Sequence, residues 1–180
     1  MTLFRSVAML VSLVLVPLTV GAAPPPEPTV EYSADSMMET EGGMTMKSRV
    51  YHTPTKQRME MGGADGSVTI IRKDKKVVWQ VMGDMYMEMP LDQSNAPDMG
   101  GFDIQEQTEV GEETVNGLKT TKTKIIATKP DGSKFGGFFW TTKEGVTVKM
   151  DLLSKDGDKK MRMASELTNV KIEKQNPALF

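Results

Sequence analysis

The chain has no cysteine and a single histidine, and only 6% of its 180 residues are aromatic. Without cysteine it can form no disulfide, and it lacks the thiol through which bacterial lipoproteins are acylated. One histidine, His52, leaves a nucleophilic triad or a zinc site without the partner residues that such sites need. We therefore expect a protein that is not an enzyme, holds no cofactor and is not a lipoprotein.

An excess of one charge is also lacking. The 22 Lys and Arg residues stand against 24 Asp and Glu residues, which gives a net charge of −2, and the two signs are interspersed. Proteins that bind nucleic acid present a basic patch or stripe to the phosphates. The pattern therefore predicts no nucleic-acid partner.

Only one long apolar run occurs, and it lies at the N-terminus. It extends from Val7 to Val20, follows Arg5, and leads into the small residues Gly21–Ala23. Such a run is too short to span a bilayer comfortably and ends where a signal peptidase cuts. We expect residues 1–23 to be a signal peptide, and the mature protein to be soluble in the periplasm with no transmembrane anchor.

Proline is concentrated directly after the expected signal peptide. Residues 24–29 contain four prolines, each of which fixes φ and removes a backbone donor, so they predict an extended spacer. The remaining residues 30–180 are enough for one domain with its own core.

Within this domain, apolar and polar residues alternate with a period of two. Turn signals such as Asn116-Gly117 and Asp156-Gly157 separate the alternating segments, which is typical of hairpin-linked strands. A sheet of many such strands must curl to cover its apolar face, so we expect a mainly β, antiparallel, strongly curved sheet. Leu91–Asp103 lacks the alternation and is expected to form a lid, as a loop or short helix.

Methionine is abundant, with 16 in the chain. On a strand, Met-x-Met directs both thioethers to one face, and the flexible, polarizable side chain adapts to ligands of variable shape. We therefore predict a cavity that holds a hydrophobic ligand such as a lipid or acyl chain. Its candidate lining residues are Met44, Met46, Met59, Met61, Met85, Met87, Met89, Met150, Met161, Met163, Trp79 and Trp140.

Other interpretations of these residues stay open. The methionines are equally suited to filling the core of a closed barrel. Thioethers also bind Cu(I) and Ag(I), and Met85, Met87 and Met89 are the ligands that this alternative predicts. A third alternative is an accessory domain whose sheet edge pairs with another periplasmic protein. For His52 we expect an exposed turn position, and for the tryptophans packing in the core is favoured.

Short motifs in both halves of the domain resemble the outer-membrane lipoprotein carrier superfamily, the LolA/LolB-like proteins. In the first half they are Pro54-x-Lys56-x-Arg58, Ile70-Ile71, Asp74-Lys75-Lys76 and Trp79. In the second half they are the segment 110–117, the strand of Trp140 with 145–150 after it, and the ending 167–170 and 176–180.

The order of these motifs is similar to that of an uncharacterised periplasmic domain family within the superfamily. The resemblance implies an open, LolA-like β half-barrel whose concave apolar face holds acyl chains or another hydrophobic ligand. We therefore expect a periplasmic, non-enzymatic binding or carrier-like protein.

Overall fold

The structure, a computed structural model, describes residues 26–62, 66–94, 103–129, 132–156 and 159–180. The expected signal peptide, the first part of the spacer and residues 95–102 of the expected lid lie outside the described residues. The strands are β1 (Tyr32–Thr40), β2 (Thr45–Thr53), β3 (Lys56–Met61), β4 (Val68–Arg72), β5 (Val77–Met82), β6 (Met85–Pro90), β7 (Asp103–Val115), β8 (Leu118–Thr128), β9 (Lys134–Thr141), β10 (Thr147–Asp156) and β11 (Lys159–Ile172).

Two short 3-10 helices accompany the strands. One, Leu91–Gln93, follows β6 at the start of the expected lid, and the other, Pro177–Leu179, lies near the C-terminus. In the described part of the chain, neither helical segment has the length or hydropathy to cross a bilayer.

All the strands join in one antiparallel sheet, in the order β6-β5-β4-β3-β2-β1-β11-β10-β9-β8-β7. The chain thus runs as two meanders, β1 to β6 and β7 to β11, which are joined by the pairing of β1 with β11. β6 and β7 lie at the two edges and do not pair with each other, so the sheet is not closed. The prediction of a mainly β, open antiparallel half-barrel is confirmed.

The connection from β6 to β7 requires the sheet to bend. In a flat sheet, ten strand spacings of roughly 4.8 Å place the two edges about 48 Å apart. Ser94 lies next to β6, because its backbone N–H binds the carbonyl of Leu91. From Ser94 to Asp103 there are nine Cα steps, which reach at most about 32 Å. The two edges therefore curve towards each other.

Two apolar clusters hold this bent sheet together. The first contains Tyr32, Ala34, Val50, Val146 and Val148. The second contains Ile125, Ala127, Phe135, Phe139 and Leu152. Residues directly opposite each other in the ladder share a face, and side chains alternate along a strand. Followed from strand to strand, the register places both clusters on one face, which we call the inner face.

The segment just before β1 is held against two turns. The backbone N–H of Thr29 donates to the carbonyl of Glu144 at 3.0 Å, and the Glu27 carboxylate binds Lys73 Nζ at 2.6 Å. Gly145 has φ +87°, and a Cβ there would lie 2.6 Å from the Glu27 carbonyl oxygen. Lys73 follows β4 and Glu144 precedes β10, so this segment joins the two halves of the sheet.

The last residues of the chain pack on the opposite, outer face. Arg58 Nη1 on β3 donates to the carbonyl of Leu179 at 3.1 Å, and Arg72 Nη1 on β4 donates to that of Phe180 at 3.3 Å. Ile70 lies opposite Arg58 on this face and is buried. The C-terminal segment therefore covers part of the outer face at β3 and β4.

Candidate binding face

The first meander gathers methionine on the inner face. Met46 lies opposite Met38, and the ladder continues this face through β3, β4 and β5 to β6. Because every step in this ladder pairs residues on the same side of the sheet, these side chains form one surface. The residues of this methionine face are Met38, Met46, Met59, Met61, Met82, Met85, Met87 and Met89.

The methionine face extends from the core to the open edge of the sheet. At the inner end, Met59 packs against the first apolar cluster. At the outer end, Met82, Met85 and Met87 are 44%, 71% and 49% exposed. Met89, which is also on β6, is half-buried. The methionine face is thus shielded from solvent at one end and exposed at the other, and the hydrogen-bonded pair Thr69 and Gln80 lies on it between Met59 and Met87.

Two of these methionines were not predicted from the sequence. Met82 lies opposite Met85 because a two-residue turn, with Gly83 at φ +58°, joins β5 to β6. The Gly83-Asp84 turn signal is sufficient to predict this position, because a two-residue turn places the residues on either side of it opposite each other. Met38 was obscured by its neighbour Met37, which points to the outer face, so the pair shows no alternation.

The remaining candidate methionines are divided between core and surface. Met150 and Met163, on the inner face of the second meander, pack against the second apolar cluster. Met161 is on the same face but 61% exposed. Met44 precedes β2, in the turn after β1, and is 64% exposed.

The two tryptophans are not part of the methionine face. Trp79 lies opposite Glu88 on the outer face, and its indole Nε1 donates to that carboxylate at 2.6 Å. Trp140, also on the outer face, is buried and donates in the same way to Glu113 at 2.6 Å. Lys122 Nζ lies 4.8 Å from the centre of the Trp140 ring. Both indoles are therefore held by charged groups of the outer face.

The expectation of an exposed His52 is wrong. The side chain is 7% exposed and stacks on Tyr32, and its Nδ1 lies 3.3 Å from the carbonyl oxygen of Val30. β2 continues to Thr53, so His52 still belongs to the strand, and its spacing of two from Val50 directs it to the inner face. Burial lowers the pKa of this imidazole.

Two cavities lie on the sheet, one on each face. One, of about 660 Å³, has Asp35, Lys47 and Arg49 of the outer face in its wall. The other, of about 240 Å³, lies on the inner face over the second meander and is lined in part by Thr121 and Thr123. Of the candidate residues, Met61 alone lines one of these two cavities. The exposed methionines thus form an open surface.

The charged groups near these surfaces pair mainly with one another. Arg49 Nη1 binds Asp35 Oδ1 at 2.8 Å. The hydrogen bonds that Asn169 and Arg49 donate lower the pKa of this carboxyl. In the parts of the chain that are described, no group of three or more His, Asp or Glu side chains has an arrangement able to hold a metal ion.

Solved structures are similar to this chain in fold. MucB, in the Pseudomonas aeruginosa MucA/MucB complex, is similar with a TM-score of 0.54 at 12% identity, over 85% of this chain and 56% of that one. A LolA superfamily protein from Nitrosomonas europaea gives 0.47 at 8% identity, over 87% and 92%. The Mycobacterium tuberculosis lipoprotein LppX gives 0.45 at 12% identity, over 83% and 89%.

At these identities the likeness shows the fold alone. This chain spans 56% of the MucB chain, little more than half its length. As the resemblance of the motifs predicted, structures described as a LolA superfamily protein and an outer membrane lipoprotein-sorting protein domain are among the matches. No protein-family model matches the sequence, and the comparison with curated proteins gives no match.

Proposed function

We propose that this protein is a periplasmic, non-enzymatic binding protein that holds an acyl chain or another hydrophobic ligand on the methionine face. The observation that supports this proposal is the register, which brings the eight methionines of this face together on the inner side of one curved meander.

Methionine suits such a ligand for physical reasons. Its side chain is unbranched and polarizable, so a surface of thioethers adapts to alkyl chains of different shape. An alkyl chain that covers the exposed Met82, Met85 and Met87 removes apolar area from water on both partners. Each methylene that is buried contributes about 0.8 kcal/mol to the binding free energy. On the outer face of the described strands, ion pairs such as Arg58–Glu60 interrupt the apolar surface.

A matched pair of variants tests which face binds. Met87 on the inner face and Met37 on the outer face are 49% and 46% exposed. We expect Met87→Gln to weaken the binding of a fluorescent fatty acid to residues 24–180, because an amide lowers the affinity of the surface for alkyl groups. Met37→Gln should leave the affinity unchanged. No uptake by the wild-type protein, or equal losses in both variants, argues against the proposal.

Lipid extraction provides an independent check. Recombinant protein exported to the periplasm is purified without detergent and analysed by mass spectrometry. We expect co-purified acyl lipids at a level that the Met87→Gln variant reduces and the Met37→Gln variant does not.

The hairpin of β5 and β6 favours a second candidate function, soft-metal binding. Met82 lies directly opposite Met85 on one face, and Met87 and Met89 follow at intervals of two. Thioethers gathered in this way are ligands that Cu(I) and Ag(I) accept. Replacing these four methionines with leucine discriminates between the candidates, because leucine keeps the apolar surface but removes the sulfur. Ag(I) binding should then be lost if metal is the ligand, while fatty-acid binding should persist if lipid is.

A further inference from the structure

The edge strand β6 has backbone groups that no other described strand uses. The N–H of Leu91 donates to the carbonyl of Lys76 at 2.9 Å. This bond shows which residues of β6 make the hydrogen bonds to β5. Hydrogen bonds to a neighbouring strand are made by alternate residues. The backbones of Met85, Met87 and Met89 therefore point to β5, and those of Tyr86 and Glu88 point out of the sheet.

The opposite edge, β7, is protected against pairing along its length, whereas β6 has one carboxylate, Glu88, and a proline only at its end, Pro90. Register shifts interrupt β7 between Ile104 and Glu106 and between Glu109 and Gly111, and five carboxylates lie along it. Bulges and charges are devices by which proteins block edge pairing. β6 pairs with β5 over its whole length without a shift, and its Tyr86 is 72% exposed. The less protected edge thus also carries more exposed apolar side chains, Met85, Tyr86 and Met87, whereas Val110 is exposed on β7.

We propose that two copies of this chain pair through their β6 edges, antiparallel, with the two-fold axis at Met87. In this register Tyr86 of each copy lies opposite Glu88 of the other, and both residues exchange backbone hydrogen bonds. Two alternative registers also use both residues. A register centred on Tyr86 sets Asp84 opposite Glu88, and one centred on Glu88 sets two Glu88 carboxylates opposite each other. Like charges directly opposite destabilise a ladder, so the register at Met87 is favoured.

Other strands fit this edge less well. The edge of β7 from another copy brings its carboxylates to Asp84 and Glu88, and repulsion disfavours that contact. The connecting residues 95–102 contain Pro97, Gly100 and Gly101, and both residue types weaken a strand. A second β6 is therefore the occupant that the charges and the sequence favour.

The pairing has a consequence for the inner face. Residues directly opposite in an antiparallel ladder point to the same side, so Met87 meets Met87 of the partner and Met85 meets Met89 of the partner. The methionine faces of the two copies then join in one surface across the edge. Because six residues form a short edge, we expect a weak dimer whose population depends on protein concentration.

Single cysteines test the register, because the chain has none of its own. At the two-fold axis the paired Cα atoms lie about 4.5 Å apart, within the range that a disulfide bridges. We expect Met87→Cys to form a disulfide-linked dimer on mild oxidation. Met85→Cys and Met89→Cys should each remain monomeric alone and form a mixed disulfide when combined. A Met87→Cys protein that stays monomeric, or that links no faster than Met85→Cys alone, overturns the proposal.

A backbone variant tests the edge without any cross-link. Glu88→Pro removes an outward N–H that β5 does not use, while Glu88→Ala keeps it, and both variants lose the acceptor of the Trp79 indole. In sedimentation equilibrium over a range of concentrations, we expect wild type and Glu88→Ala to associate and Glu88→Pro to remain monomeric. Circular dichroism of Glu88→Pro checks that the sheet is intact. A wild-type protein that is monomeric at every concentration, or a folded Glu88→Pro that associates equally well, contradicts the pairing.

Discussion

His52 and Tyr32 lie opposite each other on β2 and β1 with their rings stacked, the ring centres 5.0 Å apart and the planes 23° apart. Both are buried. Burial raises the pKa of Tyr32 to about 12 and lowers the pKa of His52, although the Val30 carbonyl near Nδ1 partly opposes the second effect. Both rings are therefore kept uncharged where the first apolar cluster meets the segment before β1.

This ring pair predicts a loss of stability in mild acid. The unfolded chain takes up a proton at His52 near pH 6.5, whereas the folded state does so only at lower pH. The free energy of unfolding is then highest above that pH, falls as pH decreases towards the folded pKa, and changes no further through this group below it. Nearby Lys73 lowers the pKa further, and Glu27 and Glu31 raise it.

Urea unfolding at a series of pH values between about 7.5 and 5 measures this loss. His52 is the only histidine in the chain, so His52→Phe, which keeps an aromatic ring opposite Tyr32, should flatten the profile in that range. The same slope in wild type and variant argues against His52 as the titrating group.

Trp140 on the outer face is expected to contribute more to stability than its polar surroundings suggest. Trp140→Ala should lower the free energy of unfolding by about 3–5 kcal/mol, because a large buried ring is lost. Trp140→Phe should cost less, since it keeps an aromatic ring while removing the N–H that binds Glu113. The hydrogen bond from Lys122 lowers the pKa of Glu113 most, and the hydrogen bond from this indole lowers it next most. NMR titration should therefore show a higher Glu113 pKa in Trp140→Phe, and an unchanged pKa contradicts the assigned hydrogen bond.

The period of two in the sequence predicted the fold well, because side-chain alternation is a local property. Within β3 and β6 it identifies the methionines that share a face, as in Met59 with Met61. It does not determine which face of one strand continues into the next. That depends on the register between strands, and here Gly83-Asp84 joins Met82 to the same surface as Met85.

Long-range packing decided the features that the sequence did not reveal. His52 is next to Thr53-Pro54, so the turn signal suggested exposure, but the segment before β1 and the ring of Tyr32 cover it. Trp79 and Trp140 have apolar bodies that fit an inner face, yet carboxylates on neighbouring strands hold them on the outer one. Such partners are distant in sequence or depend on register, so composition and spacing do not identify them.

Gly145 is expected to be intolerant of substitution because the segment before β1 crosses it. Gly145 and Gly117 have similar backbone angles, φ +87° and φ +80°, but a Cβ meets the Glu27 carbonyl only at Gly145, and nothing within 4 Å at Gly117. Gly117→Ala should therefore cost about 1 kcal/mol from the backbone alone. Gly145→Ala should cost roughly 1–3 kcal/mol more, through the clash.

Urea unfolding of both glycine variants measures the difference, and limited proteolysis reports on the segment itself. We expect Gly145→Ala to expose residues 26–31 to cleavage and Gly117→Ala to protect them as wild type does. Equal stability losses in the two variants indicate that the Glu27 backbone does not contact Gly145.

Arg72 should prove more sensitive to a conservative change than an exposed arginine with the same kind of partner. Its Nε and Nη2 donate to the two oxygens of Asp74 at 2.8 and 2.7 Å, and the side chain is buried. Arg162 makes a similar two-bond contact to Asp151 but is well exposed. Lysine cannot reproduce the planar fork, so Arg72→Lys should lower the thermal midpoint clearly. Arg162→Lys should lower it little, because exposed pairs contribute little.

The pH profile distinguishes a charged pair from simple packing at Arg72. The guanidinium lowers the pKa of Asp74 from 3.8 to about 2. A lowered carboxyl pKa stabilises the fold above the ordinary value, and this contribution disappears as pH falls from about 4 through about 2. Asp74→Asn should therefore be less stable than wild type near neutral pH and lose less stability over that acid range. If Asp74→Asn and wild type show parallel profiles from pH 4 to 2, the contact of Arg72 with Asp74 contributes no charge-dependent stability, and the effect of Arg72→Lys comes from packing against the C-terminal segment.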